Sequence, residues 1–332
     1  MTTRRNPTVS VIIPNWNCAP WLPEAMSSLL RQSSPPQEII IIDDGSRDNS
    51  VAWLNAFAAQ HPQVTLLSGE RGGVSAARMK GLAVATGDFV YFMDADDFVS
   101  TDLFADFRRV QARHDDLDLF CFGAKMFFDL PAAQRQYQSI HQRHVSGLMP
   151  GGSASLRTLI QHQSAHRVVW SSIISRRLID QLQLQFLPIQ NHEDAPFMFA
   201  LYMQARSFYC TSQSYYYKRF MLTSLSQSTR DFSWIKNYFI ARGSSEQFLR
   251  DHQLPLDEAL LDDYYQTVMQ GCLSQIRYNH VKVPPEWLPQ VNQVVRKVLQ
   301  RSARHKLLWY CPTVWRGLQA CRNRIGRYSA RR

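Results

Sequence analysis

The sequence predicts an α/β chain built on a doubly wound, mostly parallel sheet, with a helical C-terminal extension. Three observations carry that reading. From residue 8 to about 125, short β-branched apolar runs alternate with segments of helical periodicity, the pattern of right-handed βαβ units. The runs end in polar or acidic clusters, as strands do where an open sheet delivers residues to one edge. From about residue 231 the pattern is helical.

"TVSVIIP" (8–14) is too short for a helix and is bounded by Pro and Asn, so it reads as a buried strand. "APWLPEAMSSLLRQ" carries Leu22, Ala25, Met26, Leu29 and Leu30 at helical spacing and stops before Ser33, Ser34, Pro35 and Pro36. "EIIIIDDGS" is a second strand with a turn behind it. "RDNSVAWLNAFAAQ" is a second helix, with Asp48 or Asn49 as N-cap. "QVTLLSG", "GGVSAARMKGLAVATG" and "DFVYFMDADD" give a third strand, a third helix entered through a glycine pair, and a fourth strand. Pro14 and Asn15, Asp43 and Asp44, and Asp94 and Asp96 then share one sheet edge. Past residue 125, "HRVVWSSIISRRLID" reads as strand then helix, and "NHEDAPFMFALYMQ" as a helix with Pro196 in its first turn. "SFYCTSQSYYYKRF" reads as two strands joined by a turn at Thr211 to Ser214.

Composition narrows the class. The 332 residues are 45% hydrophobic, enough for a large core. No apolar run approaches the roughly 18 to 20 residues that a membrane-spanning helix needs, and the N-terminus passes straight into a strand, so neither a span nor a signal peptide is expected. The six cysteines are scattered without paired spacing, which points to neither zinc nor disulfides and fits a reducing cytoplasm. The net charge of +10 has one source: Trp287 to Arg332 holds eleven Lys or Arg and no acid, while the first 286 residues hold 26 basic and 27 acidic side chains. Such a segment wants an anionic partner.

Four stretches carry chemistry. Asp43 and Asp44 before "GS" are turn-formers, or one of them accepts a hydrogen bond from a base N–H. Uracil and thymine offer N3–H where cytosine does not, which favours UDP or dTDP, and GDP is compatible through its own ring N–H. "GGVSAARMKG" puts Gly73 and Ser75 at a helix start with Arg78 one turn in, an arrangement suited to phosphate. "MDADD" has D-x-D spacing; in extended backbone Asp94 and Asp96 point the same way and can share Mg²⁺ or Mn²⁺ with diphosphate oxygens, the alternative being a solvated turn. Glu193 and Asp194 in "HEDAPF" either complement a helix dipole or supply a general base.

Together, in order and spacing, "VSVIIPNWN", "EIIIIDDGSRDNS", "GGVSAARMKGLAVATGDFVYFMDADD" and "EDAPF" resemble the family 2 inverting glycosyltransferases of GT-A fold, the nucleotide-diphospho-sugar transferase type. The likeness is close over residues 8 to about 105, thinner to about 230 and absent thereafter. It implies a nucleotide-sugar donor, usually UDP-linked, a divalent metal on the D-x-D, and inversion at the anomeric carbon. It places Pro14 and Asn15 at the nucleotide edge, Asp44 on the base, Arg78 near the diphosphate, Asp94 near the ribose or the metal's waters, and Asp96 on the metal. It makes Asp194 the base, with Glu193 supporting it or contacting the acceptor, and lets Lys218 or Arg219 in "YYYKRFMLTSLSQS" reach the leaving diphosphate. Trp16 and Met79 depart from the family's usual Tyr or His and Asn. The resemblance divides the chain into a nucleotide-sugar-binding half (1–125), an acceptor-binding half (126–230) and a helical extension (231–332).

The extension's end, residues 296–332, interleaves Arg and Lys with Leu, Trp, Tyr and Ile, the pattern of a segment lying on an anionic membrane. The alternative is a helical subdomain with a solvated basic face; nucleic acid is disfavoured because no binding motif accompanies the charge. A cytoplasmic enzyme, peripheral on the inner face of the membrane and using a glycan or lipid-linked acceptor in bacterial surface polysaccharide or lipopolysaccharide synthesis, is one expectation. An inactive nucleotide-sugar or glycan-binding scaffold is the other. A pyrophosphorylase would need a Gly-rich, basic loop where "PNWNCAPW" stands.

Overall fold

Four apolar runs build one wing of the sheet: β1 (Val9–Asn15), β2 (Glu38–Asp43), β3 (Val64–Ser68) and β4 (Phe89–Phe92). They lie side by side in the order β3-β2-β1-β4, all parallel, joined by the crossover helices α1 (Leu22–Leu30), α2 (Ser50–Gln60) and α3 (Val74–Val84). β1, β2 and β4 are buried almost end to end, as strands covered on both faces must be, whereas β3 at the edge buries only Val64. Asn49 is the N-cap of α2, while the Asp48 carboxylate accepts from the N–H groups of Ser50 at 2.9 Å and Ala19 at 3.0 Å. This structure, a computed structural model, describes residues 6–220, 231–277, 279–301 and 303–310.

The other wing comes from β5 (Phe98–Val99), α4 (Leu103–Gln111), β6 (Leu117–Phe128), β7 (Gln138–Ile140), β8 (Gly147–Pro150), α5 (Ser153–Gln161), β9 (Ser172–Ser175), α6 (Arg176–Gln181), α7 (Asp194–Gln204) and β10 (Ser207–Phe220). The sheet continues β4-β9-β6-β10-β5, with β7 on β6 and β8 on β10. β9 runs antiparallel to both neighbours, so strands from either side of residue 125 share one mixed sheet. The expected turn at Thr211 to Ser214 is instead the interior of the single strand β10. On its second side β10 pairs with β8 over Ser207 to Cys210 and with β5 over Tyr216 and Tyr217; the polar residues fall in the gap between those partners, where the β6 register also slips.

Two glycines seat α3. Gly73, at φ +86°, is the N-cap and holds a conformation that side chains rarely adopt. Gly81 lies against β1 and β2: an added Cβ would meet Ile12 Cγ2 at 2.4 Å and Ile42 Cδ1 at 2.7 Å. Helix propensity favours alanine over glycine by about 1 kcal/mol, but overpacking costs about 1–3 kcal/mol. We therefore expect Gly81→Ala to lower the urea midpoint of unfolding; a raised midpoint would show that α3 is not fixed by this contact.

The chain divides into two compact units, Met1–Ser226 and Gln227–Arg332. The second holds α8 (Phe232–Asp251), α9 (Glu258–Tyr264), α10 (Gln266–Arg277), α11 (Leu288–Arg301) and α12 (Ala303–Tyr310). In α11, Val291, Val294, Val295, Val298 and Leu299 are buried at helical spacing, and the first three lie beside Ile235, Phe239, Cys272 and Leu273. Lys297 lies 2.9 Å from Asp262, and Arg301 lies 2.7 Å from Asp263. These two cations of the basic segment are thus paired within their own unit. Residues 311–332, which carry six of that segment's eleven Lys and Arg, lie outside the described residues, as do 221–230 of "YYYKRFMLTSLSQS". Among the described residues no helix is long and apolar enough to cross a membrane.

Candidate active site

The ends of β1 and β2 are tied to each other. Asn15 Nδ2 donates to Asp43 Oδ2 at 2.7 Å, and Asp43 Oδ1 accepts from Ser46 N at 2.9 Å. Asp43, 2% exposed, therefore closes the turn with both oxygens, the turn-forming alternative, while Asn15 Oδ1 stays buried without a partner. Pro14 sits opposite Ile42 in the β1–β2 register, half-buried. Asp44 fastens the entry to α3: its two oxygens accept from Gly72 N at 2.7 Å and Gly73 N at 2.8 Å. Each oxygen keeps a second lone pair for a ligand. Beside it, the Arg71 guanidinium lies 3.7 Å over the Trp16 ring.

The acids after β4 are gathered by a turn rather than by extended backbone, which corrects the geometry expected for D-x-D. Asp97 N donates to Asp94 O at 3.3 Å, and the turn brings carboxylate oxygens of Asp94, Asp96 and Asp97 within 4.8 Å of one another. Asp97 is the buried member. It accepts from Tyr216 Oη at 2.5 Å, Arg219 N at 2.6 Å and Lys218 Nζ at 3.1 Å, so it holds the turn onto β10. Burial pushes its carboxyl up to about 7, Lys218 opposing and the charges of Asp96 and Asp94 adding. Burial also raises Asp94, but Lys218 and Arg78 together outweigh it and hold that carboxyl below its ordinary value. Asp96 is raised by burial and by Asp94 against Lys218. Three hard carboxylates this close suit Mg²⁺ or Mn²⁺, and with Asp97 engaged the fitting pair is Asp94 and Asp96.

The cation that meets these acids is Lys218, 3.2 Å from Asp94 Oδ2. Arg219, expected at the diphosphate, is committed elsewhere. Buried at 4% exposure, it ion-pairs with Asp129 and, at 2.5 Å, with Glu24, and its Nε donates to Asp96 O at 2.8 Å. Alternation along β10 is the cause: Tyr216 and Lys218 project to the acid face, and Arg219 to the other.

Arg78 likewise turns toward acids. Its Nη1 lies 2.6 Å from Asp194 Oδ1 and 3.2 Å from Glu193 Oε1, and its Nη2 lies 3.5 Å from Asp94 Oδ1. Asp194 starts α7, and its Oδ2 accepts from Val169 N at 3.2 Å. Glu193 is the N-cap residue but makes no side-chain cap bond. Burial and the Asp194 charge push the Glu193 carboxyl up to about 7 against the pull of Arg78; burial raises Asp194 as well, again opposed by Arg78. Ser75 Oγ, in the first turn of α3, is buried and unpartnered. Next to Val169, Trp170 stacks on Tyr216 at 4.4 Å and carries Lys218 at 5.6 Å from its ring. Trp170 and Tyr216 were not read from the sequence, which offers Asp97 as a residue ordering its own turn but not as one tied to β10; the "YYYKR" alternation was the signal for Tyr216.

A profile of glycosyl transferase family 2 matches residues 10–183. The chain is 32% identical over 230 residues to the uncharacterized glycosyltransferase YibD of Escherichia coli K12, covering 69% of this chain and 66% of that protein. It is 28% identical over 225 residues to the uncharacterized glycosyltransferase EpsJ of Bacillus subtilis 168, covering 67% and 63%. The matched region thus spans just under two thirds of these relatives' length. In fold, the crystal structure of S. aureus TarS 1–349 in complex with UDP-GlcNAc is similar, with a TM-score of 0.67 at 20% identity over 91% of this chain and 83% of that one.

Proposed function

The chain belongs to glycosyl transferase family 2, and from that premise we propose that it is an inverting glycosyltransferase using a nucleotide-sugar, a UDP-sugar by preference. The acceptor is a hydroxyl of a glycan or lipid-linked molecule, in bacterial surface polysaccharide or lipopolysaccharide synthesis. The observation that carries this reading is the Arg78 bridge: one guanidinium has the D-x-D acid Asp94 at one end and the Glu193–Asp194 pair at the other. A donor's diphosphate and an attacking hydroxyl need those two kinds of acid side by side. The TarS complex holds UDP-GlcNAc, which supports a uridine donor, and the spare lone pairs of Asp44 suit the uracil N3–H.

In the proposed reaction the acceptor hydroxyl loses its proton to Asp194 as its oxygen forms a bond to the anomeric carbon. The bond from that carbon to the diphosphate oxygen breaks on the opposite face, and one displacement gives inversion. Lys218 and the first turn of α3, with Ser75, receive the charge on the departing diphosphate. A divalent cation held by Asp94 and Asp96 would supply further stabilisation of that charge. Residues 1–125 serve the donor and 126–230 the acceptor; the basic, aromatic segment 296–332 is the part suited to an anionic membrane.

The test is nucleotide release from a panel of UDP-, dTDP- and GDP-sugars, with and without Mn²⁺. We expect turnover of a UDP-sugar, stimulated by the ion; binding without turnover of any donor would favour a scaffold. The rate also has a predicted pH dependence. With both members of the base pair raised, and Glu193 at about 7, kcat/KM falls as pH drops through that value because the pair takes up a proton. Stability runs the other way. Between its ordinary value of 4.5 and about 7 the folded Glu193 binds more proton than the unfolded chain does, so its contribution to unfolding free energy falls as pH rises. A flat kcat/KM from pH 5.5 to 8 would refute the base pair.

A further inference from the structure

We propose that Arg78 is a positioning residue for the base, coupling it to the D-x-D turn, rather than a ligand of the departing diphosphate. The inference rests on the reading of the site as that of a UDP-sugar transferase. Its first ground is geometry. Arg78 is 4% exposed, and its short contacts, 2.6 and 3.2 Å, go to Asp194 and Glu193; only the longer one, 3.5 Å, reaches toward Asp94. Its Cζ also lies 5.3 Å over the Phe186 ring, which stacks at 4.3 Å on Phe197, three residues beyond Asp194 in α7. The side chain is thus tied to α7 both by the acids and through Phe186, and α3, which carries it, is seated on β1 and β2 by Gly81.

The second ground is supply and demand of charge. Asp194 and Glu193 are adjacent, largely buried acids, and Arg78 is the one cation that ion-pairs with them among the described residues. A buried acid pair stripped of its cation resists ionisation, and a protonated base accepts no proton. The diphosphate has other partners in Lys218 and the first turn of α3, whereas both Nη1 hydrogens of Arg78 go to the acid pair and one Nη2 hydrogen to Asp94. Asp194 is fixed from a second side by Val169 N, next to Trp170, which stacks on the Tyr216 that anchors Asp97. Base and D-x-D turn therefore close into a ring, with Arg78 as its charged link.

Two measurements separate the roles: calorimetric binding of UDP with Mn²⁺, and release of UDP from UDP-GlcNAc. For Arg78→Gln we expect UDP affinity within about threefold of wild type but turnover lower by about 10²-fold, the scale of a disabled general base. Asp194→Asn combined with Arg78→Gln should be no slower than the slower single variant, because both disable one device. Arg78→Lys, which keeps the charge and loses the fork, should recover part of the rate. A tenfold or larger loss of UDP affinity, or multiplying losses in the double variant, would overturn the proposal in favour of a diphosphate ligand. If Arg78→Gln does not fold by circular dichroism, Arg78→Lys carries the same comparison of affinity with turnover. A wild-type protein that ignores UDP would instead overturn the donor reading, and the variants are then compared with whichever nucleotide of the panel binds.

Discussion

Asp194→Asn is expected to lower turnover by about 10²- to 10⁴-fold, the range of a lost general base, while leaving UDP affinity close to wild type. The substitution is nearly isosteric, and an asparagine oxygen can still accept from Val169 N, which now donates to Asp194 Oδ2 at 3.2 Å. What is lost is the acceptor of the proton and the charge facing Arg78 at 2.6 Å. Arg78 keeps Glu193 and Asp94 as partners, so the helix start should remain folded. Glu193→Gln is the internal comparison: the Arg78 contact it weakens is longer, 3.2 Å against 2.6 Å. The measurement is best made at pH 8, above the value of about 7 to which Glu193 is raised, so that the wild-type pair is ionised. Near-normal turnover of Asp194→Asn would remove the assigned base. A larger loss in Glu193→Gln would transfer the role to its neighbour.

The contrast between these two acids shows what was legible in the chain. "EIIIIDD" and "HEDAPF" announce acids at the edge of a strand and at the start of a helix because burial and turn chemistry leave local marks. Local marks also fixed β1 to β4, each a short apolar run between turn residues. They say nothing of which oxygen faces which donor. Asp43 and Asp44 are indistinguishable in sequence, yet one closes a turn with Asn15 and Ser46 and the other clamps Gly72 and Gly73, 28 and 29 residues on. Lys218 and Arg219 were likewise interchangeable as cations until the alternation of β10 sent one to Asp94 and the other to Glu24 and Asp129. β10 itself was misread because its polar middle looks like a turn, and only its three partner strands explain it. The acids themselves are local; their division of labour is a property of contacts up to 195 residues apart.

The same division of labour makes Asp96→Ala a cleaner test of metal chemistry than any other change in the turn. Asp97 is an anchor, bound to Tyr216, Arg219 N and Lys218, so replacing it would loosen the turn from β10 and confuse folding with catalysis. Asp94 is shared by Lys218 and Arg78, so replacing it would also disturb the link to the base. Asp96 contributes to the frame through its carbonyl, which accepts from Arg219 Nε at 2.8 Å and survives the substitution. We therefore expect Asp96→Ala to unfold within about 1 kcal/mol of wild type, as changes that break no buried contact do. Its turnover should nonetheless fall by about 10²-fold or more, since a metal's stabilisation of leaving-group charge amounts to several kcal/mol and each 1.36 kcal/mol is tenfold in rate. Lys218 remains as a single positive charge against the diphosphate, so what activity persists should no longer respond to Mn²⁺. Titrating UDP-sugar turnover with Mn²⁺, alongside paramagnetic resonance of bound ion, decides the matter. If Asp96→Ala keeps the wild-type Mn²⁺ dependence, the ion does not sit on this carboxylate, and its ligands are then to be sought among the other acids of the turn, Asp94 and Asp97.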